Sequence, residues 1–296
     1  MPVAATTLAL CAASVPTRPP LVLNAAPTDT VHYFGVGSNM LRSKIVGRGL
    51  NGSKIELLDF EPAVVSGHRL AFNMRGFAPL EPAMGSLEPS DGPADAACHG
   101  ALCTMTRAEY EKVWLSEGGG APKPGYEEIV VEARAYRSGR RVQAVALRAR
   151  EHTRLSRDAC PSARYMGMLL AGASELGLEP SYLSQLEGIT TQRVGPALRA
   201  LAVNHLFFVS MLFRLKASWL VRAISKAVWA AYVPSSCASA ARRAIGGACT
   251  GAMLLPSAVL GAVIRAAMWA AGAKVPPMLA AVIASPPTPK RGEGGS

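Results

Sequence analysis

The chain has 296 residues, of which 50% are hydrophobic and 17% are charged, and its formal net charge is +11. The length permits two domains. Residues 197–296 contain 11 lysines and arginines and one acidic residue, whereas residues 29–196 contain 19 basic and 19 acidic residues. Because the basic residues of the C-terminal part are interleaved with apolar ones, the composition favours a membrane surface and predicts no nucleic-acid partner.

Six cysteines lie far apart in the sequence and form no Cys-x-x-Cys pair, so neither a zinc knuckle nor a disulfide framework is predicted. Cys98, His99 and Cys103 fall within one apolar run that is typical of a buried strand. Free thiols in a reducing compartment are therefore the plainer interpretation. The sequence predicts no metal site.

Residues 1–28 predict a leader outside the folded part of the chain. Their apolar patch, residues 3–15, has no basic residue ahead of it, whereas a secretory signal has one. A segment without acidic residues and rich in alanine, threonine, serine and proline would also suit an organelle transit peptide, although Arg18 is its single basic residue. Localisation stays open between the cytoplasm and an organelle, with or without membrane association.

Residues 29–196 predict one domain that is large enough to bury its own core. Strands are expected over residues 31–36, 64–72 and 100–105. Between the last two, residues 75–97 are rich in proline, glycine and alanine, which predicts a long loop that would lie over a site as a flap.

A short helix is predicted directly after the third strand. Thr106 and Glu109 form a capping box, in which the threonine hydroxyl accepts a helix N–H and the glutamate reaches back. The helix ends beside Glu117, so this carboxylate is expected to sit at a defined place.

The remainder of the domain predicts a hairpin and two helices. Residues 128–136 and 141–147 would pair as antiparallel strands across a Ser-Gly turn. Residues 161–177 and 180–188 each predict a helix with proline in its first turn and glycine at its end. Strands and helices that alternate in this irregular way indicate an α+β fold with an antiparallel or mixed sheet.

Residues 33–40 read Tyr-Phe-Gly-Val-Gly-Ser-Asn-Met and predict a strand that runs into a turn and then a helix. Gly35 and Gly37 let the backbone pass close to a ligand and leave N–H groups unshielded by side chains. Such a turn suits an anionic group or a developing oxyanion. A dinucleotide site is the poorer alternative, because Met40 holds the position of the third glycine and no phosphate-binding lysine motif follows.

The same turn resembles the Tyr-x-x-Tyr-Gly-Ser-Asn signature of the γ-glutamylcyclotransferase-like (AIG2-like) family. Residues 115–118, Leu-Ser-Glu-Gly, followed by Tyr126, are similar to the family's catalytic Glu-Gly segment. Residues 161–165, Pro-Ser-Ala-Arg-Tyr, are similar to the start of its C-terminal helical segment, which continues here to Tyr182. The three segments occur in the expected order between residues 31 and 189.

The resemblance implies a small, closed, barrel-like sheet flanked by helices, and an intramolecular aminolysis. The α-amine of a γ-glutamyl group attacks its own γ-carbonyl, which closes 5-oxoproline and expels the attached amine or amino acid. Glu117 is implied as the general acid and base, the substrate as a small γ-glutamyl compound, and no cofactor is implied. Substrate contacts are implied for these residues, with Tyr126 as a further candidate: Tyr33, Phe34, Gly35, Val36, Gly37, Ser38 and Tyr165.

Structural alternatives remain for each implied role. Glu117 could be a solvated residue at a helix end, and Tyr165 a tyrosine on the buried face of a helix. The family usually has tyrosine where this chain has Val36, which lacks the hydroxyl and the ring, so the leaving amine stays open. A non-catalytic binding module of the same fold is one alternative function. A membrane-tethered scaffold that acts through the C-terminal extension is another.

Residues 197–285 predict a basic, apolar, helical extension, and residues 286–296 a disordered tail. Within the extension, residues 217–233 are amphipathic. Residues 244–264 form a run of 21 uncharged residues, long enough to span a bilayer. The extension would associate with a membrane, pack on the domain or on another subunit, or remain poorly ordered.

Overall fold

The computed structural model describes residues 30–49, 53–90, 92, 97–232, 240–275 and 280. The predicted leader at residues 1–28 and the predicted disordered tail at residues 286–296 lie outside the described residues.

The described part of the domain contains seven strands and a closed barrel. The strands are β1 (Thr30–Gly35), β2 (Asp59–Ser66), β3 (His68–Phe77), β4 (Glu81–Pro89), β5 (Ala97–Thr106), β6 (Tyr126–Ala135) and β7 (Arg141–Ala149). Five of them close in the order β1-β5-β2-β6-β7. The β1–β7 pair is parallel and the other four pairs are antiparallel. This confirms the predicted α+β class with a small, closed, mixed sheet.

Helices flank the barrel and follow it. A 3-10 helix (Gly37–Met40) comes directly after β1. The α-helices are α1 (Arg42–Val46), α2 (Arg107–Ser116), α3 (Ala163–Leu176), α4 (Pro180–Glu187), α5 (Pro196–Arg214), α6 (Ser218–Ala231) and α7 (Ala240–Ala270).

Alternating side chains of the barrel strands enter two buried clusters. Val31 and Tyr33 of β1 pack in the first cluster with Met105, whereas Phe34 packs in the second with Leu102. Since successive side chains of a strand point to opposite faces, the two clusters lie on the two faces of the barrel wall.

The predicted loop over residues 75–97 is wrong, because most of this segment is a hairpin of β3 and β4. The strand expected over residues 64–72 is instead two strands, β2 and β3, separated by Gly67 at φ +66°. Pro82 and Pro89 fit into β4 because this strand pairs with β3 alone in the described sheet, so one edge requires no N–H donor. The prolines of this segment therefore led to the wrong prediction of a loop.

Most predicted helix ends agree with the structure. The Thr106 hydroxyl accepts the Glu109 N–H at 3.3 Å and caps α2, although Glu109 pairs with Lys112 rather than reaching back. Gly177 ends α3 at φ +66°. The start of α3 differs from the prediction: Ser162 is its N-cap, so Pro161 precedes the helix and does not occupy its first turn.

The C-terminal helices α5–α7 pack on the tip of the β3–β4 hairpin. Ala78 and Leu80 of the tip share a buried cluster with Leu206 of α5 and Leu254 of α7. The Trp229 indole of α6 donates a hydrogen bond to the Gly76 carbonyl at 3.2 Å. Among the described residues, the predicted extension is therefore helical and contacts the domain.

Two of these helical segments, Pro196–Arg214 and Ala244–Ala270, are long and apolar enough to cross a bilayer. Length and composition alone establish no membrane span, because core helices of soluble proteins meet the same criteria.

Candidate active site

One cavity joins residues that are far apart in the sequence. Its volume is about 420 Å³, counting the space open to solvent at its mouth. The lining residues are Tyr33, Val36, Ser38, Asn39, Arg48, Met84, Gly85, Glu117, Tyr126, Leu147 and Tyr165. The turn after β1, the end of α2 and the start of α3 thus meet at this cavity.

Glu117 is the C-cap residue of α2. Its Oε1 accepts a hydrogen bond from Asn39 Nδ2 at 3.0 Å and lies 2.8 Å from a terminal guanidinium nitrogen of Arg48. Two glycines shape the chain directly after it. Gly118 has φ +84°, and a Cβ on Gly119 would clash with the Trp114 ring. The glycine run therefore lets the chain turn away immediately after the carboxylate.

Asn39 and Arg48 hold Glu117 from the opposite wall. Asn39 Nδ2 donates to the Tyr33 hydroxyl at 2.8 Å as well as to Glu117. Arg48 Nε donates to Asn39 Oδ1 at 2.6 Å, and Arg48 also reaches the Ser116 hydroxyl at 3.3 Å. Asn39, Arg48 and Glu117 each have at least two partners in this network, which fixes the carboxylate in one position.

Tyr165 and Tyr126 hold the Gly85 peptide of β4 from two sides. The Gly85 N–H donates to the Tyr165 hydroxyl and the Tyr126 hydroxyl donates to the Gly85 carbonyl, both at 2.9 Å. Burial raises the pKa of Tyr165 to about 12 and that of Tyr126 well above 10. Both phenols are therefore neutral at physiological pH and act through hydrogen bonds.

The turn after β1 lies against this tyrosine pair. Gly37 has φ +66°, and a Cβ there would clash with the Tyr165 hydroxyl. Val36 and Ser38 line the cavity beside it. A side chain at position 37 would therefore be strained in its backbone and would displace Tyr165.

The remaining candidates of the turn occupy different places. Tyr33 is buried at the cavity and hydrogen-bonded to Asn39; burial chiefly, with the negative charge of Glu117, raises its pKa far above the usual value. Phe34 is fully buried in the second barrel cluster. Phe34 and Gly35 are outside the lining of the cavity, so a role for them in substrate binding stays a prediction.

Arg48, Asn39, Met84, Gly85 and Leu147 were missed as site residues in the sequence. Asn39 belongs to the signature that identified the turn, so its signal was present. Arg48 follows α1 between two glycines, but a single arginine has no pattern that marks it. Gly85 was hidden within the segment predicted to be a loop.

The described residues contain no group of three histidine, cysteine or acidic side chains that could hold a metal ion. Cys98, Cys103 and Cys160 are buried and unpaired. Burial raises the pKa of Cys98 to about 12, so this thiol stays protonated at neutral pH.

No protein-family model matches the chain. The γ-glutamyl cyclotransferase gliK of Claviceps purpurea is 35% identical over 136 residues, which cover 45% of this chain and 60% of that protein. The protein of the same name from Aspergillus fumigatus is 26% identical over 62% of this chain and 71% of its own length. The chain thus spans three fifths to about seven tenths of these two relatives.

Two solved structures are similar to part of the chain at low sequence identity. A γ-glutamyl cyclotransferase superposes with a TM-score of 0.46 at 20% identity, over 56% of this chain and 90% of that one. YkqA from Bacillus subtilis gives a TM-score of 0.44 at 15% identity, over 55% of this chain and 56% of that one. In sequence, the chain is similar to proteins named γ-glutamyl cyclotransferase, and its barrel and three motif segments agree with that similarity.

Proposed function

We propose that the protein cyclises a γ-glutamyl group to 5-oxoproline and releases the attached amine or amino acid. One observation carries this proposal: the carboxylate of Glu117 lines the same cavity as the Gly37 turn and Tyr165. A base, backbone donors and a positioning phenol within one small cavity are the groups that an intramolecular aminolysis needs. The sequence relatives named γ-glutamyl cyclotransferase add support.

The reaction moves two protons through one carboxylate. Glu117 accepts a proton from the substrate α-ammonium, and the free amine attacks the γ-carbonyl carbon, so that a C–N bond closes the five-membered ring. Backbone N–H groups of the Gly37 turn stabilise the resulting oxyanion. Glu117 passes this proton to the leaving nitrogen and accepts the second proton of the ring nitrogen, so that collapse of the oxyanion breaks the bond to a neutral amine and leaves a neutral lactam. The second proton then passes from Glu117 to the released amine. Ring closure within one molecule keeps the entropic cost of the attack low.

The first test is the substitution Glu117→Gln, with Glu151→Gln as a control at an exposed position. An amide retains the shape of the carboxylate but cannot accept the ammonium proton. We expect 5-oxoproline release to fall roughly 100-fold or more in Glu117→Gln, because general acid–base help of this size is lost. The control should retain full activity.

Turnover close to that of the unmodified protein in Glu117→Gln would remove this residue from the mechanism. A panel of glutathione, γ-glutamyl amino acids and γ-glutamyl amines identifies the leaving group, which Val36 leaves open. No 5-oxoproline from any member of the panel would favour the non-catalytic binding module.

A second proposal concerns the C-terminal helices, which we infer bind the surface of an anionic bilayer. Trp269 is 85% exposed, and Arg265 and Lys274 lie beside it in the sequence. Further large apolar side chains of α7 are also exposed: Ile245, Met253, Leu255, Val259, Leu260 and Val263. Exposed apolar side chains next to basic ones are typical of helices that lie in a lipid interface. Vesicle flotation tests this proposal.

A further inference from the structure

Arg48 is a charged residue of the cavity to which the reaction scheme above assigns no role. Its guanidinium is 2.8 Å from Glu117 Oε1 and 2.6 Å from Asn39 Oδ1, and it reaches the hydroxyl of Ser38 at 3.5 Å. The side chain lines the cavity and keeps 21% of its surface exposed. Its Nη1 also donates to the Ser116 hydroxyl at 3.3 Å. Since a guanidinium carries five N–H donors, Nη1 has one more N–H beyond those used in these contacts.

The charges of the cavity match one particular kind of ligand. Among the described residues that line it, Arg48 and Glu117 are the charged ones. The head of a γ-glutamyl compound is a zwitterion, with an ammonium and a carboxylate on the same carbon. If the ammonium lies at Glu117, the adjacent carboxylate comes within reach of Arg48. The pair therefore offers one opposite charge to each end of the head group.

We propose that Arg48 binds the α-carboxylate of the γ-glutamyl group and makes the site specific for substrates that carry it. This rests on the proposed function. Arginine suits the role because its guanidinium keeps its positive charge at physiological pH, and a carboxylate can replace the Ser116 hydroxyl as the partner of Nη1. The assignment leaves the Gly37 turn for the γ-carbonyl oxygen, so each of the two anionic groups of the reacting substrate has its own partner in the cavity.

The test compares each γ-glutamyl substrate with its 4-aminobutyryl counterpart, which lacks the α-carboxylate and closes to 2-pyrrolidinone. In Arg48→Met, the preference in kcat/KM for the γ-glutamyl compound should fall roughly 10- to 100-fold, the range for losing hydrogen bonds to a charged group. Arg48→Lys keeps the charge and should retain part of the preference. Arg42→Met, at an exposed arginine six residues earlier, is the matched control and should leave the preference unchanged.

A purely positioning role gives a different result. If Arg48 only orients Glu117, Arg48→Met slows both substrates by the same factor and the preference stays constant, which overturns the inference. Thermal melting of each variant shows whether the fold is retained. Should Arg48→Met fail to fold, Arg48→Lys decides the matter by the same ratio.

Binding of the two products separates this inference from the proposed function. Calorimetry with 5-oxoproline and 2-pyrrolidinone needs no turnover, and the unmodified protein should prefer 5-oxoproline, with the preference lost in Arg48→Met. If no substrate releases 5-oxoproline, the proposed function is wrong. The calorimetry still shows in that case whether Arg48 binds the carboxylate. Equal binding of the two lactams by the unmodified protein would refute the role of Arg48.

Discussion

Gly37 links the backbone conformation of the turn to the position of Tyr165. We expect Gly37→Ala to cost about 1 kcal/mol of folding free energy through its positive φ. It should also lower kcat/KM, because the new methyl group displaces the Tyr165 hydroxyl from the Gly85 N–H. Gly139→Ala is the matched control, since Gly139 also has φ +66° but no atom near its Cβ position.

Urea unfolding and steady-state kinetics separate the two effects. Both variants should lose stability through the positive φ, and Gly37→Ala should lose more because it also breaks the hydrogen bond between the Gly85 N–H and Tyr165. Only Gly37→Ala should lose activity. Equal activity in the two variants would show that the approach of Gly37 to Tyr165 has no role in the reaction.

The sequence predicted the residues of the cavity that belong to motifs, and missed those that reach it through tertiary structure. Glu117, Ser38 and Tyr165 occur at recognisable positions of three ordered segments, and the structure brings them together. Arg48 is placed by the short helix α1, whose packing no local pattern encodes. Gly85 lines the cavity because Tyr165 and Tyr126, which are distant from it in the sequence, hold it there. Such a contact leaves no local sequence pattern.

At the scale of secondary structure, the β3–β4 hairpin is an element that the sequence did not predict. Prolines and glycines at residues 75–97 indicate a loop by propensity. The β3–β4 pair nevertheless forms for two reasons. One edge of β4 is unpaired in the described sheet, and the tip of the hairpin packs against the C-terminal helices. Local propensity is thus overridden by packing partners that lie more than a hundred residues later in the chain.

Trp229 of α6 contacts the β3–β4 hairpin, and Gly85 of the same hairpin lines the cavity. We therefore predict that a substitution at Trp229 affects substrate binding. Trp229→Ala removes the hydrogen bond to the Gly76 carbonyl and the contact with Arg75. We expect about 2 kcal/mol of destabilisation, less than for a fully buried tryptophan. A several-fold rise in KM should accompany it, because Gly85 belongs to the same hairpin.

Trp219→Ala provides the control, since Trp219 is 66% exposed. It should alter neither the melting temperature nor KM by a measurable amount. An unchanged KM in Trp229→Ala would show that the middle of the hairpin holds its place independently of its tip.

At the scale of the whole molecule, charge located the boundary of the C-terminal extension but not its packing. Residues 29–196 balance their charges, and the excess of basic residues begins where α5 begins. Hydrophobicity alone could not distinguish a face that packs on the hairpin from a face that meets a membrane. In the structure α7 has a buried side and an exposed side, with Leu254 fully buried and Val263 exposed.

The proposed membrane contact can be tested without removing the helices. Val259 and Val263 are four residues apart on one exposed face of α7. The double substitution Val259→Glu and Val263→Glu should reduce flotation with anionic vesicles, because it adds negative charge and removes apolar area. Val130→Glu, at an exposed position of β6, should float as well as the unmodified protein.

Binding should also weaken as the salt concentration rises, since basic residues near a lipid surface contribute about 1 kcal/mol each at low ionic strength. Equal flotation of the double variant and the unmodified protein, or no flotation of either, would assign the exposed face of α7 to another partner.

The double attachment of the Gly85 peptide has a consequence for the thermodynamics of binding. Its N–H is held by a phenol on α3 and its carbonyl by a phenol on β6, so the strand cannot slide in either direction without losing a bond. The conformational entropy of this wall is already lost when the protein folds. A ligand that enters the cavity is therefore spared the cost of ordering it, and more of the contact energy appears as affinity.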